Sequence, residues 1–95
     1  MRKGGSPVPA EAEVVERVEE SPGIVTLRLR FTDPEQRRAY RFRPGQFNML
    51  YLFGLGEVAI SISSDPDEPE LLSHTVRDVG RVTGRLVALE PGARI

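Results

Sequence analysis

The stretch Arg43 to Ser64, RPGQFNMLYLFGLGEVAISISS, decides the fold. Pro44-Gly45 is a turn pair, since Pro presets one backbone dihedral and Gly accepts the unusual one after it. Phe47 to Phe53 is apolar on both faces, the pattern of a strand that is central or covered on its second side. After Gly54-Leu55-Gly56, the residues Val58, Ile60 and Ile62 alternate with Ala59, Ser61 and Ser63, which predicts a second strand. Gly54 to Ala59 also satisfies G-x-G-x-x-A, the dinucleotide-binding turn. That turn must open a helix, however, and Ala59 to Ser63 alternate as a strand, so a hairpin loop is the better reading.

On either side of this stretch, Ala12 to Val18 and Ile24 to Phe31 are strand candidates separated by Ser21-Pro22-Gly23. In the second, Val25, Leu27, Leu29 and Phe31 oppose Thr26, Arg28 and Arg30. Thr32-Asp33-Pro34-Glu35 is read as a turn, and alternation resumes from Tyr40 through Phe42. Leu71 to Arg77 continues the β pattern beyond a polar loop, Asp65 to Pro69, whose prolines forbid ladder pairing. Val82, Leu86 and Leu89 then fall at helical spacing, with Thr83 as the expected N-cap and Pro91-Gly92 as the stop. Six short strands, counting a start near Ala93, predict a mostly β protein: a small six-stranded antiparallel Greek-key β-barrel with one short helix and a truncated last strand. Residues 1–10, rich in Gly and Pro, are expected to be a loose lead-in, and residues 11–95 the domain.

Composition bounds what such a domain can do. The 95 residues make one small core, and the 39% apolar and 28% charged fractions suit a water-facing globular chain. No apolar run approaches the ~18 residues of a membrane span, and Met1-Arg2-Lys3 leads into no signal-peptide core, so the cytoplasm is the expected location. With no cysteine and one histidine, the chain offers neither disulfides nor thiolate-held metal, and it carries no catalytic triad. Arg37, Arg38, Arg41 and Arg43 interleave with Tyr40 and Phe42, a pattern that could form a single-strand nucleic-acid platform. A net charge of −1 opposes that use, and no nucleic-acid partner is expected.

Gly80-Arg81-Val82-Thr83 before a helix has more chemical content. Glycine allows close backbone approach and a helix start presents unpaired N–H groups to an anion, although an ordinary capped helix reads the same way. Arg77 and Arg81 nearby favour a phosphate.

Taken together, Arg43-Pro44-Gly45-Gln46-Phe47, then Ala59-Ile60-Ser61-Ile62, then Arg77-Asp78-Val79-Gly80-Arg81-Val82-Thr83 and Leu86 resemble the FAD-binding barrel of ferredoxin reductase-like flavoproteins. The resemblance runs from Val14 to Ile95. It is strongest to the electron-transfer subunits of dihydroorotate dehydrogenases and the gamma subunits of hydrogenases and sulfur reductases. It implies that Val58, Ala59, Ile60 and Ser61 line the flavin, with Ile60 against the ring and Ser61 near its redox-active nitrogen. Val58 stands where the family commonly has an arginine facing the pyrophosphate, and Arg77 is the substitute cation. Thr75, Val76 and Arg77, with Gly80, Val82 and Thr83, correspond to the second family segment, in which Thr83 bonds the pyrophosphate.

The implied function is that of an FAD-binding domain in an NAD(P)H-linked electron-transfer subunit, relaying electrons between nicotinamide and an iron–sulfur centre. The nicotinamide domain and the cluster cysteines would lie beyond Ile95 or in partner subunits, so this segment should not turn over by itself. A missing final strand would leave an exposed edge and favour an artificial oligomer. A non-catalytic β-barrel that binds a protein or nucleic acid is the alternative.

Overall fold

The computed structural model describes residues 1–3, 10–43, 45–64, 67, 68 and 70–95, with Arg2 and Lys3 described as backbone only. Much of the lead-in, and Asp65, Pro66 and Pro69 of the polar loop, therefore lie outside the described residues. The protein is mostly β. Among the described residues, six strands form two antiparallel three-stranded sheets: β1 (Arg2–Lys3), β4 (Phe47–Leu52) and β5 (Gly56–Ser61) in one, β2 (Ala12–Ser21), β3 (Ile24–Phe31) and β6 (Leu72–Arg77) in the other.

Alternation explains the pairing. On β3, Val25, Leu27, Leu29 and Phe31 turn inward and meet Ala12 and Val14 of β2 and Leu72 and Val76 of β6. Leu50 of β4, Ile62 and Leu86 close the core from the other side. Each such side chain, fully withdrawn from water, contributes about 1.5–3 kcal/mol. Gly54, at φ 80°, makes the β4–β5 hairpin turn, and the Leu55 N–H donates to the Leu52 carbonyl there. The Gly-x-Gly run is thus a hairpin and opens no helix.

Several expectations are corrected. Residues 2–3 are not loose, because they pair with Met49 and Asn48 at the edge of β4. Asp33-Pro34 begins a helix, α1 (Pro34–Ala39), and does not merely turn the chain. The Asp33 carboxylate caps it by accepting the Glu35 N–H at 2.9 Å, and proline occupies the first turn, where no N–H is required. None of its residues is buried, so no apolar stripe announced it. With α2 (Arg81–Leu86), the described residues contain two helices in place of one. Tyr40 and Phe42 face inward as their alternation predicts, but they follow α1 as extended chain without ladder pairing.

The chain's last residues do pair. Ile95 and Ala12 exchange backbone hydrogen bonds, the Val14 N–H donates to the Ala93 carbonyl, the Gly92 N–H donates to the Val14 carbonyl, and Glu13 bridges Arg94, so the edge of β2 is covered where a strand start near Ala93 was expected.

Candidate functional site

The ten candidate residues gather where the two sheets meet, along the seam between β5 and β6 and under the start of α2. Beyond the strand ends the Ser63 N–H donates to the Ser73 carbonyl at 2.8 Å, which zips the sheets together. At the other end of β5, Gly56 lies under the first turn of α2, where an added Cβ would meet Val82 Cγ2 at 3.7 Å. The seam therefore runs from the helix start, along β5, to Ser61.

Strand alternation splits the candidates into two sets. Val58, Ile60, Val76, Val82 and Thr83 are buried or half-buried and pack with the core, whereas Ala59, Ser61, Thr75, Arg77 and Gly80 are exposed. Ile60 and Ser61 are consecutive, so their side chains leave β5 on opposite faces. Ser61 shares its outer face with Phe47, its cross-strand partner, and with the Met49–Ala59 and Tyr51–Glu57 pairs. This face carries Phe47, Met49 and Tyr51 beside Glu57 and is accessible, as Phe47 and Tyr51 remain 42% and 44% exposed.

The turn before α2 differs from expectation. Gly80 is the N-cap, and Thr83 sits within the first turn of the helix. Its Oγ1 accepts the Val79 N–H at 3.1 Å and donates to the Gly80 carbonyl at 3.3 Å. The hydroxyl thus helps to close the loop, and only 6% of Thr83 is exposed. The groups that face solvent here are Arg77, Asp78, Val79, Gly80 and Arg81, with the Asp78 carboxylate beside Gly84 of the helix. The N–H groups of the first helical turn have no partner within the helix. Beyond the turn, on the outer side of β3 and β6, lies an open polar depression of about 410 Å³ whose lining includes Thr26, Arg28, Ser64, Ser73 and Thr75.

Sequence reasoning missed a polar chain through the core. Gln46 Nε2 donates to the Tyr40 hydroxyl at 3.1 Å, and Tyr40 donates to Asn48 Oδ1 at 2.8 Å. Asn48 Nδ2 lies 3.4 Å from His74 Nε2, and His74 Nδ1 lies 3.1 Å from the Ser61 carbonyl. Asn48 and His74 have no exposed surface. Burial pushes the His74 imidazole down to about 4, against opposing contributions from the Ser61 and Ile60 carbonyls, so the ring is neutral near pH 7. Burial likewise raises the Tyr40 phenol, with Asn48 and Gln46 acting in the opposite direction. The available signal was alternation itself, because His74 shares a strand face with Leu72 and Val76.

The arginine–aromatic segment is not a stacking platform. Phe42 is buried, and Tyr40 packs between Phe31 and Phe42 with centroids 5.0 and 6.4 Å away. Arg37 donates to the Phe31 carbonyl, and Arg41 to those of Arg38 and Tyr40. Its rings cannot present faces to bases, and its guanidinium groups serve partly as local braces.

No family model matches the chain. Individual relatives do. Over 84 residues, 88% of the chain, it is 43% identical to a probable dihydroorotate dehydrogenase B (NAD(+)) electron transfer subunit of Methanopyrus kandleri, covering 29% of that protein. Over 64 residues, 67% of the chain, it is 44% identical to sulfhydrogenase 1 subunit gamma of Pyrococcus furiosus, covering 22% of it. Among solved structures, the ferredoxin reductase of carbazole 1,9a-dioxygenase superposes with a TM-score of 0.74 at 25% identity, across 94% of this chain and 28% of that one. The chain is a ferredoxin reductase-like domain. It spans less than a third of the length of the relatives it matches, and an NADH-dependent reduced ferredoxin-NADP oxidoreductase at 23% identity and TM-score 0.66 shares the fold. No helix among the described residues is long and apolar enough to cross a membrane.

Proposed function

We propose that this ferredoxin reductase-like domain binds FAD along the β5–β6 seam and serves an NAD(P)H-linked electron-transfer subunit. The observation that carries the proposal is the 43% identity, across 88% of the chain, to a protein named as an NAD(+)-linked electron transfer subunit. The local chemistry fits the group. Gly80 offers backbone free of a side chain, Arg77 and Arg81 bring two exposed cations beside the helix start, and Ser61 projects a hydroxyl from the face that carries Phe47 and Met49.

Bound flavin would accept a hydride from a nicotinamide and pass on single electrons, chemistry that no side chain here supplies. The protein's part is placement. Arg77 and Arg81 would neutralise the pyrophosphate, with Arg77 replacing the cation missing at Val58. Gly80 and the first turn of α2 would receive its oxygens, while Thr83 keeps that turn closed. Ile60 would support the ring from the core side, with Ala59 and Ser61 on the outer side. A nicotinamide site and an iron–sulfur acceptor would belong to other parts of the protein or to partner subunits, in the cytoplasm.

FAD titration with fluorescence as readout tests the proposal. Quenching that saturates, with a matching rise in melting temperature, is expected. Absence of both with FAD and with FMN would refute it.

A further inference from the structure

The buried polar chain closes on itself. The Ser61–Ile62 peptide is held at both ends, because the Ile62 N–H donates to the backbone carbonyl of Gln46 at 2.8 Å while the Ser61 carbonyl accepts from His74 Nδ1 at 3.1 Å. Gln46 is also where the side-chain relay begins. Donation then runs in one direction, from Gln46 to Tyr40, Asn48, His74 and Ser61. Head-to-tail bonds of this kind polarise one another, and each holds its neighbour's orientation. Only the neutral imidazole with its proton on Nδ1 completes the sequence, since Nε2 must accept from Asn48. No buried side-chain nitrogen or oxygen among the described residues lacks a partner, so every member is satisfied.

Such a ring is more than the packing of a small core requires. It converges on one peptide at the end of β5, at the residue whose hydroxyl faces outward beside Phe47. We propose that His74 is a positioning residue for the flavin, with Asn48, Tyr40 and Gln46 locking its imidazole so that the Ser61 backbone, and hence its outward hydroxyl, keeps one orientation towards the ring. The inference rests on the FAD reading above. His74 touches no ligand itself and acts through the carbonyl it holds.

The test compares the intact protein with its His74→Leu, His74→Asn and Tyr40→Phe variants, titrated with FAD and followed by the visible absorption of the bound flavin. Tyr40→Phe keeps the ring's volume and removes the hydroxyl that accepts from Gln46 and donates to Asn48, so it decides the matter if His74→Leu does not fold. Loosening the Ser61 peptide by the equivalent of one hydrogen bond corresponds to about a 3- to 10-fold rise in FAD Kd for His74→Leu and Tyr40→Phe, with an altered flavin spectrum. His74→Asn, whose amide N–H can take the place of Nδ1–H but which leaves Asn48 Nδ2 without its acceptor, should restore both in part. In the unliganded protein, imidazole 15N shifts should report the Nδ1–H tautomer. Wild-type binding with unchanged Kd and spectrum in folded variants would overturn this inference alone, whereas wild-type protein that binds no FAD would overturn the function proposed above as well.

Discussion

The guanidinium of Arg17 on β2 grips the carbonyl oxygen of Val87, with Nε at 2.9 Å and the second donor at 2.8 Å. Val87 is the C-cap of α2, so a cation meets the negative end of the short helix whose other end forms the candidate phosphate turn. Replacing Arg17 with Ala should lower stability by about 1.5–3 kcal/mol, the range for hydrogen bonds to a charged group. Arg17→Lys should recover less than half, having no fork. Urea unfolding reads this as a lower midpoint at constant slope, and an unmoved midpoint would show that the helix is held by its apolar contacts alone.

Stability should fall in mild acid because of His74. Its ordinary value is 6.5, and burial lowers it to about 4 in the folded state, so the unfolded chain binds the proton first. The stabilisation is therefore complete above pH 6.5 and is lost as the pH falls towards 4, by up to ~3 kcal/mol. Denaturation across this window should show the slope in wild-type protein and a weaker one in His74→Leu. Parallel curves would place the titration elsewhere.

Two phenylalanines should behave oppositely. Phe42 is 7% exposed and Phe53 92%. Truncating Phe42 to Ala should cost about 3–5 kcal/mol, whereas Phe53→Ser should change stability by no more than ~0.5 kcal/mol. Thermal melts of the two variants separate these outcomes, and similar losses in both would mean that the hairpin tip is packed in solution.

Much of this was legible in the residues. Ile24 to Phe31 and Val58 to Ser63 carry strict alternation, and burial of one face is what keeps a strand in register. The helix at Pro34 was hidden because it buries nothing, leaving only its cap and its propensity as signals. Thr83 was misplaced as a cap because Ser and Thr also close loops from inside the first turn, as its bonds to Val79 and Gly80 do here. The Gln46–Tyr40–Asn48–His74 ring was out of reach, since it joins residues up to 34 positions apart that share no local pattern. Family resemblance supplied the candidate site, and strand geometry then separated its packing residues from those that face solvent.

At the turn before α2, Thr83→Val keeps the shape and removes the hydroxyl that joins Val79 to Gly80. It should weaken FAD binding about 3- to 10-fold by loosening the turn, and Arg77→Ala should weaken it by a similar factor through loss of charge. Salt separates the two, because only the arginine variant should lose part of the ionic-strength dependence. Equal salt slopes would remove Arg77 from the site.

The most direct measurement is a 15N–1H spectrum of the protein recorded as FAD is added. Shifts are expected to concentrate on Ala59, Ser61, Arg77 and Gly80 to Thr83, leaving the segment from Arg37 to Arg43 unmoved. Saturating FAD that moves none of these amides, or moves only the arginine segment, would contradict flavin binding at the β5–β6 seam.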